Sequence, residues 1–155
     1  KSDWPVGVDD HARPLSKRGV RDATALGVWL REHSSAVSRV IVSTAARTQR
    51  TWELCAAAAG IESQVDNVDA IYEAHWTSIL AFLQELDDES CVLVIGHNPG
   101  LEDLASELAG PVGAPLEALE EKFPTSAVAH LEFTGAWSSL RPGSARLVEF
   151  VIPRG

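Results

Sequence analysis

The chain has 155 residues, 45% of them hydrophobic, which suffices for the core of one ordinary globular domain. Thirteen basic against twenty-two acidic side chains leave a formal charge of -9, which argues against a general nucleic-acid or anionic-membrane surface; an anion has to be drawn by a local basic pocket. No apolar run approaches the roughly 18 residues of a membrane span, no basic-then-apolar leader is present, and neither the two cysteines nor the five histidines have CxxC or metal-ligand spacing, so a soluble cytoplasmic protein with reduced thiols and no metal or cofactor is expected.

Lys1–Pro14 mixes Asp, Gly and Pro without periodicity and reads as loop. Ser16 is placed to cap a helix in which Val20, Ala23, Gly27 and Leu30 recur at helical spacing through Arg31, before Ser34-Ser35 stops the pattern. Arg39–Ser43 is β-branched and apolar, hence a strand. Ser43 or Thr44 then caps a helix over Ala45–Ala59, with Gly60 as its stop. A weaker strand at Val65–Ile71 precedes a helix over Thr77–Leu86, whose Ile79, Leu80, Leu83 and Leu86 form one stripe. Cys91–Ile95 is continuously apolar, as expected of a strand buried on both faces, and Gly96–Gly100 turns into a helix over Leu101–Ala109. Gly110–Pro115 reads as loop and Glu117–Lys122 as a short solvated helix or turn, while Ala127–Phe133 and Ala145–Ile152 suit an antiparallel hairpin. This alternation predicts a three-layer α/β/α domain over 1–155, with a mostly parallel sheet and helices on both faces.

Ligands in such folds bind at the carboxyl ends of the strands, where helix N-termini favour anions. Two strand-to-helix turns carry unusual residues at that edge: Arg47 after one strand and His97 after another. A cation in a helix's first turn opposes the helix dipole unless an anion or carboxylate sits beside it, and the five donors of an arginine suit phosphate. A histidine between Gly96 and Asn98-Pro99-Gly100 suits donation to a phosphoryl oxygen. The plainer readings are an ion pair of Arg47 with Glu53 or another acid, and a turn-capping role for His97. The joint placement of the two favours phosphate. His11, His75 and His130 read as exposed or locally bonded, Ser126 lies outside a GxSxG elbow, and the five tryptophans read as packing residues, with Trp4 and Trp76 candidates to border a substrate.

Lys1-Ser2-Asp3-Trp4, Asp10 with Arg13-Pro14-Leu15 and Gly19, Ser43-x-x-x-Arg47-Thr48 and Gly96-His97-Asn98-Pro99-Gly100, in that order, resemble the histidine phosphatase superfamily, in particular its small SixA-like phosphohistidine phosphatases; Lys122-Phe123-Pro124-Thr125 is similar to that branch too. The resemblance implies a phosphoglycerate-mutase-like fold and a metal-independent phosphoric monoester hydrolase. Its phosphohistidine intermediate would be formed by a histidine of an Arg-His pair just ahead of the Lys1-Ser2-Asp3-Trp4 segment. That pair and the strand bearing it are not in this sequence, which also has no methionine, so the sequence reads as part of a longer polypeptide, and loss of the strand is expected to leave a hole between its neighbours. Arg47, the arginine of the absent pair and His97 would clamp the equatorial phosphoryl oxygens, and Arg13, Lys17 and Arg18 could line the pocket mouth, although Arg18 reads equally as a helix-surface charge. Some relatives place an acid directly after the second histidine; here that residue is Asn98, and Glu73 in Ile71-Tyr72-Glu73-Ala74 resembles the alternative proton donor, against a reading as an exposed loop carboxylate. The implied partner is a phosphorylated protein or a small phosphorylated metabolite. Without the nucleophile, the alternative is a non-catalytic phosphoryl-binding module.

Overall fold

The computed structural model describes residues 1–33, 37–110, 119 and 123–154. In chain order the elements are α1 (Lys17–His33), β1 (Arg39–Ser43), α2 (Ala46–Ala59), β2 (Gln64–Val68), a 3-10 turn at Asp69–Ile71, α3 (Trp76–Gln84), β3 (Val92–Ile95), α4 (Gly100–Leu108), β4 (Val128–Glu132), a second 3-10 turn at Trp137–Ser139 and β5 (Arg146–Val151). The class is α/β with a mostly parallel sheet. The residues fall into two compact units, one made of Lys1–Tyr72, Ser90–Gly96 and Pro153–Gly155, the other of Glu73–Glu89 and His97–Ile152. The stop at Ser34-Ser35, the loop after Gly110 and the Glu117–Lys122 stretch other than Leu119 lie outside the described residues.

The first unit is built on a parallel sheet of order β2-β1-β3. Val40, Ile41 and Val42 of β1 are fully buried, as three consecutive β-branched residues in a central strand should be. β1 is bonded along both edges, to β2 and to β3. The register sets Ser43 against Val68 and Val42 against Ile95. All three strands therefore end at one edge. β3 is less buried than its apolar sequence predicts: only Ile95 is buried, because among the described residues the strand has β1 as its single neighbour. β2 stops at Val68 rather than Ile71, where the chain tightens into the 3-10 turn, and Gln64, Asp66 and Asn67 fit its exposed setting.

Helix α1 is capped by Ser16, whose Oγ accepts from the Gly19 amide at 3.1 Å. Its buried face is Gly19, Asp22, Ala23, Leu26, Gly27 and Leu30, while Val20 lies on the exposed side. Helix α2 lacks the side-chain cap expected from Ser43 or Thr44; its N-cap is Ala45. The loop supplies part of what the cap would have given, since the Ala46 amide donates to the His11 carbonyl at 2.9 Å. Gly60 closes α2 in the left-handed conformation.

In the second unit α3 packs on α4, and Ile79, Leu80 and Leu83 are buried while Leu86 is half-buried beyond the helix end. β4 and β5 form the expected antiparallel hairpin. Ala105, Ala109, Leu119 and Leu147 make a core cluster with Phe123, Ala129, Leu131 and Phe150 packed around it.

Candidate active site

In the first unit the chemistry gathers around Asp10. Arg47 stands in the first turn of α2, and the carboxylate that such a position requires is Asp10, not Glu53, which pairs instead with Arg50 at 2.7 Å. Arg47 Nη2 lies 3.1 Å from Asp10 Oδ2, and its Nη1 donates to the Asp10 carbonyl at 2.7 Å. The Tyr72 hydroxyl donates to Oδ2 at 2.7 Å, and Arg13 Nη1 pairs with Oδ1. Tyr72 first, then Arg13, holds the Asp10 carboxyl well below the usual carboxylate range, and Arg47 adds to the effect. Asp10 is therefore an anion at neutral pH. Two guanidinium groups share this one carboxylate.

Arg13 is itself buried, and it ties the preceding loop together: Nε donates to the Asp3 carbonyl at 3.1 Å, Nη2 to the Ser2 hydroxyl, and the guanidinium lies 3.2 Å from the centroid of the Trp4 ring. A second chain of bonds runs beside this one. The Thr44 hydroxyl donates to Asp69 Oδ1 at 2.8 Å, so the Nε2 of His11, 2.9 Å away, is left to donate to the Thr44 oxygen. His11 also meets Tyr72 edge to face, with ring centroids 4.8 Å apart.

In the second unit, His97 and Asn98 form the turn into α4. The His97 carbonyl accepts from the Leu101 amide at 3.0 Å. Asn98 Nδ2 donates to Glu102 Oε2 at 3.2 Å and to the Phe123 carbonyl at 2.8 Å, a positioning duty consistent with an amide that cannot supply a proton as an acid does. Glu73 adopts φ 47°, in the left-handed region unusual for a side chain of its size. The following residue is packed against α4: the Ala74 carbonyl oxygen lies 2.1 Å from where a Cβ on Gly100 would stand, so only glycine lets the Glu73 loop approach the helix start this closely. His75 caps α3, as a locally bonded histidine should, with Nδ1 2.9 Å from the Thr77 hydroxyl.

Thus Arg47 is joined to Asp10, Arg13 and Tyr72, and the Glu73 loop is seated at the start of the helix that His97 leads into. Sequence reasoning assigned no role to Tyr72 or Asp69, gave Thr44 only a possible cap of α2, and read His11 as a loop residue. The one local signal was the i,i+3 spacing of Asp10 and Arg13. Cys55 is buried, which pushes its thiol up to about 12, and burial raises the half-buried Cys91 as well; neither suits a thiolate nucleophile. Among the described residues no group of His, Cys, Asp and Glu is arranged to hold a metal ion, and no helix is long and apolar enough to cross a membrane.

Residues 3–79 match the family model of the histidine phosphatase superfamily (branch 1). An uncharacterized protein of Mycobacterium tuberculosis is 39% identical over 158 residues, covering 99% of this chain and 98% of that protein. The phosphohistidine phosphatase SixA homolog of Haemophilus influenzae is 31% identical over 113 residues, 65% of this chain and 68% of that protein. Among solved structures, one from Nakamurella multipartitia assigned as phosphohistidine phosphatase SixA superposes with a TM-score of 0.84 at 38% identity, covering 98% of this chain and 90% of that one. The chain belongs to the histidine phosphatase superfamily and is a phosphatase of that class. Within the superfamily its place is the SixA-like branch, and the fold is the α/β fold of those structures.

Proposed function

We propose that residues 1–155 are the greater part of one catalytic domain that hydrolyses protein phosphohistidine or a small phosphomonoester through a phosphohistidine intermediate, without a metal ion. The observation that carries this reading is Arg47 in the first turn of α2, at the carboxyl end of a buried parallel strand, anchored by an ionised Asp10. Asp10 and Tyr72 fix the guanidinium, and a fixed donor stabilises a transition state better than one that must reorient. The family resemblance assigns the equatorial phosphoryl oxygens to Arg47 and His97. The nucleophile is the histidine of an Arg-His pair preceding Lys1 in the full-length polypeptide. Its ring nitrogen attacks phosphorus as the bond to the leaving group breaks, and Glu73 gives that group its proton. Water then attacks the phosphohistidine, releasing phosphate and the free histidine.

Intact-mass and N-terminal sequence analysis of the native protein is the first test; absence of an upstream Arg-His pair would leave only phosphoryl binding. Kinetics on an activated phosphomonoester is the second. With chelator present the full-length protein should turn over undiminished. His97→Ala should lower the rate on the order of 100-fold, as loss of one preorganised donor does elsewhere, with little change in melting temperature. Asn98→Ala should show the opposite balance, losing about 1 kcal/mol of stability with its two bonds and less of the rate. Equal, mild effects would return His97 to the role of a turn residue.

A further inference from the structure

Trp4 and Val6 are the two most exposed of the large hydrophobic side chains among the described residues, at 75% and 103%, where the others in that class stand at 36–39%. They are not on a loose strand end. Ser2 bridges to Leu15, the Asp3 amide donates to the Pro14 carbonyl at 3.0 Å, and Arg13 grips the Asp3 carbonyl. Pro5–Val8 is a tight turn closed by the Val8 amide on the Pro5 carbonyl at 3.3 Å, and Gly7 takes the positive φ of 79° that its third position demands. Val6 therefore stands at the apex, pointing into water, while Trp4 is braced from behind by Arg13. Through Arg13 the same loop is bonded to Asp10, and through Asp10 to Arg47.

A rigid apolar projection bonded to a phosphate anchor has a use only if the phosphate arrives with something apolar attached. Small phosphorylated metabolites are polar and compact. A phosphohistidine in a protein brings a polypeptide surface with it, and aromatic anchors held in place bind such surfaces at little entropic cost. We propose that Trp4 and Val6 recognise apolar side chains flanking a protein-borne phosphohistidine. The proposal rests on the phosphatase reading given above and deepens it.

Three probes with the same reacting bond isolate the flank: free phosphohistidine, a phosphohistidine peptide flanked by Leu and Phe, and the same peptide flanked by Ser and Gly. Full-length protein should show the lowest KM on the apolar peptide. Trp4→Ala and Val6→Ser should each raise that KM, Trp4→Ala on the order of tenfold, while kcat/KM on free phosphohistidine stays put. Trp4→Phe, which keeps a ring over Arg13, should restore most of the affinity. Should Trp4→Ala also slow the free amino acid, Trp4 acts by steadying Arg13, and Val6→Ser decides: selective loss on the apolar peptide upholds the contact, and no loss overturns it. Equal KM for both peptides in the unmutated protein overturns it outright. Failure to hydrolyse any of the three would instead overturn the phosphatase reading itself.

Discussion

Asp10 accepts from Tyr72, Arg13 and Arg47 at once, and its main-chain carbonyl takes a further Arg47 bond. Asp10→Asn keeps the size but loses the charge, so two guanidinium groups lose their common anion and Arg47 is free to tilt. The rate should fall by roughly 10- to 100-fold, the range that a displacement of about 1 Å produces. The stability effect has a pH signature. Since the folded carboxyl titrates below its unfolded value of about 3.9, its contribution is fully present above that value and disappears as pH falls through the folded one. Urea midpoints of the wild type and Asp10→Asn should differ by a constant amount above about pH 5 and converge in more acid solution; a gap that persists there would mean that the charge is not what matters. Glu73 invites a separate test, since its backbone lies at φ 47°. Glu73→Gly relieves that strain and should slow poor leaving groups far more than activated ones. A uniform change across leaving groups would show that the carboxyl gives no proton.

At the level of elements, Gly100 makes the packing of α4 testable. An added Cβ would meet the Ala74 carbonyl at 2.1 Å, and a backbone atom cannot swing aside as a side chain can. Gly100→Ala should therefore cost about 1–3 kcal/mol, more than the gain of up to about 1 kcal/mol in helix propensity, and thermal melts would report it. The elements most legible in the sequence were those whose signal is local. Arg39–Ser43 was read with its observed bounds because consecutive β-branched apolar residues specify a central strand, and Gly60 marked the end of α2. The candidate residues Arg47 and His97 were nominated by the same route, from strand-turn-helix order. What escaped depends on tertiary neighbours. Ser43 or Thr44 was expected to cap α2, yet the Thr44 hydroxyl is drawn to Asp69, and Ala45 takes the cap position. Tyr72 reaches Asp10 across 62 residues and Arg47 reaches it across 37, separations at which no periodicity carries information. The half-burial of β3 likewise reflects how many strands flank it rather than its composition.

For the molecule as a whole, the formal charge of -9 and the phosphatase assignment pull in opposite directions, because every substrate of a phosphatase is an anion. The shared carboxylate resolves the conflict by distance. Two arginines converge on one aspartate and so concentrate basic groups within a few ångströms, whereas the acidic side chains are more numerous over the chain. Dissolved ions act on the two unequally: at 0.1 M the screening length is about 10 Å, long enough to spare the short contact and short enough to mute the diffuse field. A phosphoprotein with an acidic surface would thus meet a long-range repulsion from the diffuse acidic side chains, which the ion atmosphere weakens. Raising ionic strength from about 10 to 150 mM should speed its capture severalfold and leave the neutral-flanked peptide nearly unaffected. A capture rate that drops over that interval would assign the long-range field to attraction, and the sign of one salt titration separates the two.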